Sequence, residues 1–496
     1  MSLADIGLSY SAILPEIILA TTGVTLMLVE AFAPSRNRTR AAIIALMGIA
    51  LAFAATFPLL SSGSHIDFSG MIITDGFRAF FTMVALIASA LSLLISWNFL
   101  TEEAIRPDDY FALVLFATTG MGLLIAAHDL VVVFLGIETV TIATYVLAGF
   151  RRNDLRSTES ALKYFILGSF SSAFLLYGIA LVYGATRTTN LVEIQAVISR
   201  PLGNPESTLL LAGVAMLLIG FGFKLTAVPF HIWTPDVYEG APTPVTAFLS
   251  VGPKAAGFAA SLRVFSIALG SSPATQIAGA RLHTDWITAV SAMAILTMTF
   301  GNFIAITQSN IKRMLAYSSI AHAGYVLVGL ISGYWPAVAF YAIAYAVMNL
   351  GAFAVVALIS RRGDERVLID DYSGIGFQQP LLSFALTIFL LSLAGIPGTA
   401  GFMGKFWIFK SAWGEGFHAL VIVGVINTVV SVYYYFRVII VMFFREAEDD
   451  GIKVPIPASF AIALTVTAVG TLFIGLLPNS VFDLLTAAGT TLAQSP

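Results

Sequence analysis

The 496 residues include no cysteine, and only 11% of them are charged. Without a thiol the chain can form no disulfide, hold no iron–sulfur cluster and offer haem no thiolate. Its six histidines, His65, His128, His231, His283, His322 and His418, fall on separate segments without H-x-x-H or H-x-x-x-H spacing. The pattern that sets two imidazoles on one helix face for a metal is therefore missing. No metal site, bound cofactor or redox centre is expected in this chain. A soluble protein carries about 25% charged residues, so this composition excludes a soluble enzyme and a disordered chain. A net charge of −3 offers no field to draw a polyanion, and no nucleic-acid partner is expected. Nucleotide loops fail as well. Before and after Gly404-Lys405 the phosphate-loop positions are Thr399 and Phe406. Gly220-x-Gly222 lacks its third glycine and any preceding strand.

What the chain has is apolar length, with 58% hydrophobic residues. Runs of about 20 apolar residues, each enough to cross a 30 Å hydrocarbon core, recur from end to end. Fourteen spans are read near 11–33, 41–60, 76–100, 109–127, 130–150, 161–184, 209–234, 243–269, 286–306, 314–332, 336–360, 381–412, 418–444 and 456–477. The fold class is all-α and polytopic, one transmembrane bundle over 1–496 in a lipid bilayer. Met1 to Tyr10 carries Asp5 and no Lys or Arg, unlike a signal peptide, so the first span is expected to be retained.

Basic residues orient the bundle. Loops after odd-numbered spans hold 14 of the 25 Lys and Arg residues, among them Arg36, Arg38, Arg40, Arg106, Arg361, Arg362 and Lys453. Loops after even-numbered spans hold 4, Arg187, Arg200, Arg281 and Lys410. By the positive-inside rule the odd loops are cytoplasmic and both termini lie outside.

The other seven basic residues fall inside spans, where a central charge costs at least about 2.5–3.5 kcal/mol. Arg78, Arg263 and Arg437 lie within about two turns of a span end, and snorkelling to the interface accounts for them. Glu16 and Glu30 read as interfacial. Lys163, near the start of span 6, fits either a loop-side or a functional role. Lys224, Lys254 and Lys405 are different. Lys224 is roughly 22 Å from the outer start of span 7, and Lys254 roughly 16 Å from the inner start of span 8. Lysine suits a proton site because desolvation can draw its pKa toward neutrality, whereas arginine stays charged. Glu138 lies mid-way along span 5, at matching depth, and a Glu138–Lys224 pair is expected.

Two spans carry helix breakers. In span 7 Pro229 follows Lys224 by five residues and leaves the carbonyl of Leu225 without its helical donor. In span 12 Pro397 does the same to Leu393, among Gly395, Gly398, Gly401 and Gly404 and before Lys405. Broken spans five apart suggest two inverted repeats, spans 4–8 (109–269) and 9–13 (286–444), after spans 1–3 (11–100) and before span 14 (456–477). Paired discontinuous helices of this kind place an ion site near the midplane. In span 10, Ser318, Ser319, His322 and Tyr325 share one face. That stripe is either a proton relay or glue between helices.

Three runs then carry a resemblance. They are Phe230-His-Ile-Trp-Thr-Pro-Asp-Val-Tyr-Glu-Gly-Ala-Pro-Thr-Pro-Val-Thr-Ala-Phe248 with Lys254-Ala-Ala-Gly-Phe258, Lys312-Arg-Met-Leu-Ala-Tyr-Ser-Ser-Ile-Ala-His-Ala-Gly-Tyr325, and Ala394-Gly-Ile-Pro-Gly-Thr-Ala-Gly-Phe-Met-Gly-Lys405. Together they resemble the N chains of respiratory NADH:quinone oxidoreductase (complex I), over essentially the whole length. The sister L and M chains usually read Trp-Leu-Pro-Asp where this chain has Trp-Thr-Pro-Asp, and L carries a long lateral helix after its bundle.

The resemblance implies a proton-translocating membrane-arm subunit without a redox centre of its own. FMN, iron–sulfur clusters and quinone are then expected in other subunits, NADH oxidation drives the pump, and neighbours include chain M. It implies a bacterial inner membrane with periplasmic termini. It also implies a relay of Glu138, Lys224, Lys254 and Lys405, with Lys163 on the uptake path and His231 and Tyr434 lining the channel; His322 is a further candidate lining residue. One departure is Gly252-Pro253 before Lys254, where a bend of span 8 is expected. The competing readings are a cation/proton antiporter subunit and a non-pumping scaffold.

Overall fold

The fold is that of a computed structural model, which describes residues 10–32, 38–61, 63–102, 107–200, 203–270, 279–360, 366–447 and 455–489. Of the loop charges used for orientation, Arg36, Arg106, Arg361, Arg362 and Lys453, with the side chains of Arg38 and Arg281, lie outside the described residues, as do Met1 to Ser9. Among the described residues, thirteen helices are long and apolar enough to cross a membrane. The remaining span, number 12, is two 15-residue helices, Pro380–Ala394 and Ala400–Gly414. At 1.5 Å per residue each half reaches only about 22 Å, so neither alone crosses the core. The lead-in Asp370–Gln378 meets the first half at 119°.

Caps decide where several spans begin. Asp154 accepts from the amide of Arg156, so span 6 runs Leu155–Thr186, a turn and a half earlier than the hydropathy suggests. Asn310 accepts from the amides of Lys312 and Arg313, and span 10 runs Ile311–Ser332. Polar first turns read as loop in the sequence because the cap, not the apolar run, sets a helix start. Span 8 continues as helix through Pro253 from Thr243 to Arg263 and ends in a π-turn, Val264–Ala268, so the proline does not interrupt it. Outside the helices, an antiparallel hairpin joins spans 2 and 3, pairing His65–Asp67 with Ile72–Thr74.

Spans 8, 10 and 11 are buried along nearly their whole length, while spans 1, 2, 6 and 13 keep broad outward faces. Paired features recur five spans apart. Gly120 lets span 4 approach the backbone of span 5 at Val140, and Gly301 lets span 9 approach span 10 at Ala321; in both places an added Cβ would sit 2.7 Å from a backbone nitrogen. Asp129 caps span 5 and bridges to Asn190 after span 6; Asn310 caps span 10 and bridges to Leu368 after span 11. Gly120 to Gly301 and Asp129 to Asn310 are both 181 positions. This is the spacing expected of two copies of one five-helix unit.

The arginines near span ends do not snorkel. Arg78 and Arg263 are fully buried. Arg78 pairs with Glu16 at 3.1 Å, and Arg263 makes a two-pronged pair with Asp75 at 2.7 and 3.0 Å while stacking over Phe77. Glu16 is likewise interior rather than interfacial. These four charges tie spans 1, 3 and 8 together at one end of the bundle. Arg437 caps the end of span 9, donating to the carbonyls of Ile306 and Gln308.

Candidate functional site

Span 7 stops at Lys224, before the proline, and Leu225 to Ile232 form a non-helical turn. The carbonyls this stop exposes find donors nearby: Ala227 N–H reaches Gly222 at 2.8 Å and the Trp233 indole reaches Phe223 at 3.2 Å. Irregular backbone at this depth is tolerated only where protein satisfies it. The Lys224 ammonium donates to Thr141 Oγ1 at 3.0 Å. Thr141 lies three residues after Glu138 on the same face of span 5. Glu138 and Lys224 thus address one helix face but form no ion pair, and Glu138 Oε1 is buried without a hydrogen bond.

Thr226, inside the break, turns its hydroxyl to the next lysine. Lys254 donates to Thr226 Oγ1 at 2.9 Å and to Ser319 Oγ at 2.6 Å. Its ammonium lies 5.7 Å from the ring centre of Tyr238. A cavity of about 30 Å³, room for one or two waters, follows, lined by Lys254, Ser319, His322, Tyr341 and Tyr345. Both nitrogens of the buried His322 ring meet phenols: Nδ1 that of Tyr341, and Nε2 that of Tyr435 at 3.1 Å. Tyr435 also meets Ser318.

Lys405 sits in the second half of span 12. It donates to the carbonyls of Leu393 at 3.0 Å and Ala394 at 3.4 Å, with its charge 4.8 Å from the ring centre of Tyr325. The Tyr325 and His322 rings are 5.6 Å apart. Tyr325 in turn meets Asn302, which accepts from Tyr434 at 3.0 Å. All three lysines are buried. From the first broken span to the second the order is Lys224, Thr226, Lys254, Ser319, His322, Tyr325, Lys405; hydrogen bonds join Thr226, Lys254 and Ser319, the cavity joins Ser319 to His322, and ring contacts join His322, Tyr325 and Lys405.

Lys163 lies outside this line, in a cleft of about 250 Å³ at the basic-loop face. It contacts Glu159 and Asp236, both at 2.8 Å. Arg313 holds the other oxygen of Asp236 at 2.9 Å and Glu239 at 2.7 Å. Partial burial would raise the Asp236 pKa, but Lys163 and Arg313 outweigh it and hold the carboxyl below its usual value. Two basic residues in a helix's first turn oppose its dipole; here Asp236 and Glu239 answer Arg313, and Lys312 caps the carbonyls of Glu239 and Ala241. His231, half-buried in the break, shares no hydrogen bond with the three lysines.

Of the residues the sequence singled out, Lys224, Lys254, His322 and Lys405 come together, with Glu138 at one end and Tyr434 at its margin. Thr141, Thr226, Tyr341, Tyr435 and Asp236 were not anticipated. Only Thr141 carried a local signal, its i+3 spacing from Glu138. Among the described residues no three His, Asp or Glu side chains gather as a metal site requires.

Residues 127–431, more than half of the chain, match the family described as NADH:quinone oxidoreductase/Mrp antiporter, TM. Over 480 residues, 96% of each chain, the sequence is 45% identical to NADH-quinone oxidoreductase subunit N of Trichlorobacter lovleyi. The chain belongs to the NADH-quinone oxidoreductase subunit N family. Chains of solved structures share the fold. Against a chain of respiratory complex I from Thermus thermophilus, with bound aureothin, the TM-score is 0.80 at 34% identity, covering 96% of this chain and 100% of that one. A chain of the Mrp complex from Dietzia sp. superposes with a TM-score of 0.82 over 97% of both chains. Its 21% identity marks a shared fold only.

Proposed function

We propose that this subunit N chain moves protons across a bacterial inner membrane as part of complex I. Lys224, beside Glu138 and Thr141, takes up a proton from the cytoplasmic side. Lys254 passes it along the midplane, and Lys405 releases it outward. NADH oxidation and quinone reduction, with FMN and iron–sulfur clusters, take place in other subunits and supply the energy. Chain M is among the neighbours, and both termini face the periplasm.

The observation that carries this reading is the row of three buried lysines, with Thr226, Ser319, His322 and Tyr325 set between them. Placing three ammonium groups at membrane depth is costly, and packing alone gives no reason to string them through hydroxyls and an imidazole. An apolar residue at each position would suffice for a scaffold. The 45% identity to a named complex I subunit favours this assembly over a separate cation/proton antiporter.

Affinity purification of the native chain from detergent-solubilised membranes tests the assembly. Complex I predicts co-purifying iron–sulfur and NADH-binding subunits and NADH:quinone reductase activity in the eluate. Isolation without them contradicts it.

A further inference from the structure

The short helix Trp233–Gly240, which follows the break in span 7, faces two ways. Its outer side carries Asp236 and Glu239 into the cleft at the basic-loop face. Its other side carries Trp233, which is 4% exposed and lies flat on Tyr164, with ring centres 4.5 Å apart and planes 11° from parallel. Phe223 continues the stack at 5.1 Å from Trp233, next in sequence to Lys224. The Trp233 indole donates to the Phe223 carbonyl. The Tyr164 hydroxyl meets Thr144 Oγ1 at 3.3 Å, one turn beyond the Thr141 that receives Lys224.

The cleft ends where this stack begins. Ser160 lines the cleft, and Tyr164 lies one turn deeper on the same face of span 6. Three aromatic rings in contact set apolar faces between the cleft and Lys224. Lys163, adjacent to Tyr164, and Asp236, three residues from Trp233, are joined by an ion pair at 2.8 Å. That pair fastens the two halves of the stack to each other. Arg313 ties Asp236 to span 10 as well, so the short helix is clamped from two sides.

We propose that the Tyr164–Trp233 stack is the gate between the cytoplasmic cleft and Lys224, and that Asp236, shared by Lys163 and Arg313, is the latch that holds it shut. Uptake requires the short helix to swing outward and part the two rings. Tyr164, Trp233 and Asp236 are positioning residues in this account, because none of them carries the proton. The inference rests on the proposed uptake at Lys224, but its test reads water access without turnover, so the gate and the relay can fail separately.

The absence of cysteine from the chain gives a clean labelling background. Single variants Arg156→Cys and Thr144→Cys, in the intact complex in inverted membrane vesicles, are treated with a small charged methanethiosulfonate reagent. Label is read on this chain after gel separation. Arg156→Cys, at an exposed position of the cleft, labels readily, and Thr144→Cys, at a buried one, is protected. Adding Asp236→Asn or Tyr164→Ala to Thr144→Cys raises its labelling rate about tenfold or more, the shift expected when a closed state loses its clamp. Tyr164→Phe keeps the ring and the protection. Quinone reductase activity confirms that each complex is assembled. Thr144→Cys labelling as fast as Arg156→Cys without a second substitution overturns the gate, and so does protection that survives both Asp236→Asn and Tyr164→Ala.

Discussion

Lys405 Nζ donates, at 3.0 Å, to the carbonyl of Leu393, the acceptor that Pro397 cannot serve. The break in span 12 thus supplies a backbone acceptor to a buried ammonium, and the ammonium satisfies a carbonyl that lipid would leave bare. The first break works differently. Lys224 precedes its turn and reaches a threonine of span 5, and the turn's own Thr226 is passed to Lys254.

The geometry of the second break predicts an order among two substitutions. Gly395 and Gly398 have φ of +85° and +87°, so the glycines hold the turn whether or not residue 397 has an N–H. Pro397→Ala should leave proton pumping nearly unchanged. Gly395→Ala should reduce it strongly, because a left-handed alanine costs about 1–2 kcal/mol and the new Cβ would sit 3.2 Å from Lys405 Nζ. Proton translocation per quinone reduced, measured in vesicles, orders the two.

Adjacent tyrosines in span 13 should also separate. The family resemblance points to Tyr434, but Tyr435 is the one on His322, while Tyr434 is held by Asn302. Tyr435→Phe removes a buried hydroxyl bonded to two partners, an effect of about 1–3 kcal/mol, and should slow pumping more than Tyr434→Phe. Equal effects would place the path through both.

A pH dependence follows from His128, which lies between spans 4 and 5. Burial, with Arg263 nearby, pushes its pKa down to about 4 from 6.5. The folded chain therefore binds this proton more weakly than the unfolded chain does. Stability is full above pH 6.5, falls as pH drops toward about 4, and levels below it. His128→Gln should flatten that slope in thermal unfolding of the detergent-solubilised protein between pH 7 and 4. A slope unchanged by the substitution would assign it to other groups.

The fold was largely readable because lipid imposes it. Apolar runs and loop charges are strong signals, and every expected span is present. Boundaries slipped where a cap sits outside the apolar run, as at Asp154 and Asn310. The lysines were legible because a charge in a hydrophobic run stands out against its neighbours. Their partners were not. Ser319 was marked by its polar stripe, but Thr226 and Tyr341 are ordinary in their own segments and reach Lys254 and His322 only through packing between elements. The same blindness led Arg78 and Arg263 to be read as snorkelling, since their partners Glu16 and Asp75 lie 62 and 188 residues away. Depth along one helix does not reveal what faces it.

Lys254 joins the two halves of the line, touching Thr226 on one side and Ser319 on the other. The most direct test compares Lys254→Ala and Lys254→Arg in the assembled complex, measuring proton translocation and quinone reductase activity together. Both variants should lose translocation and most of the coupled reductase rate, because alanine carries no proton and arginine does not release one. Lys254→Ala complexes that assemble and translocate protons at the unmodified rate would contradict the relay.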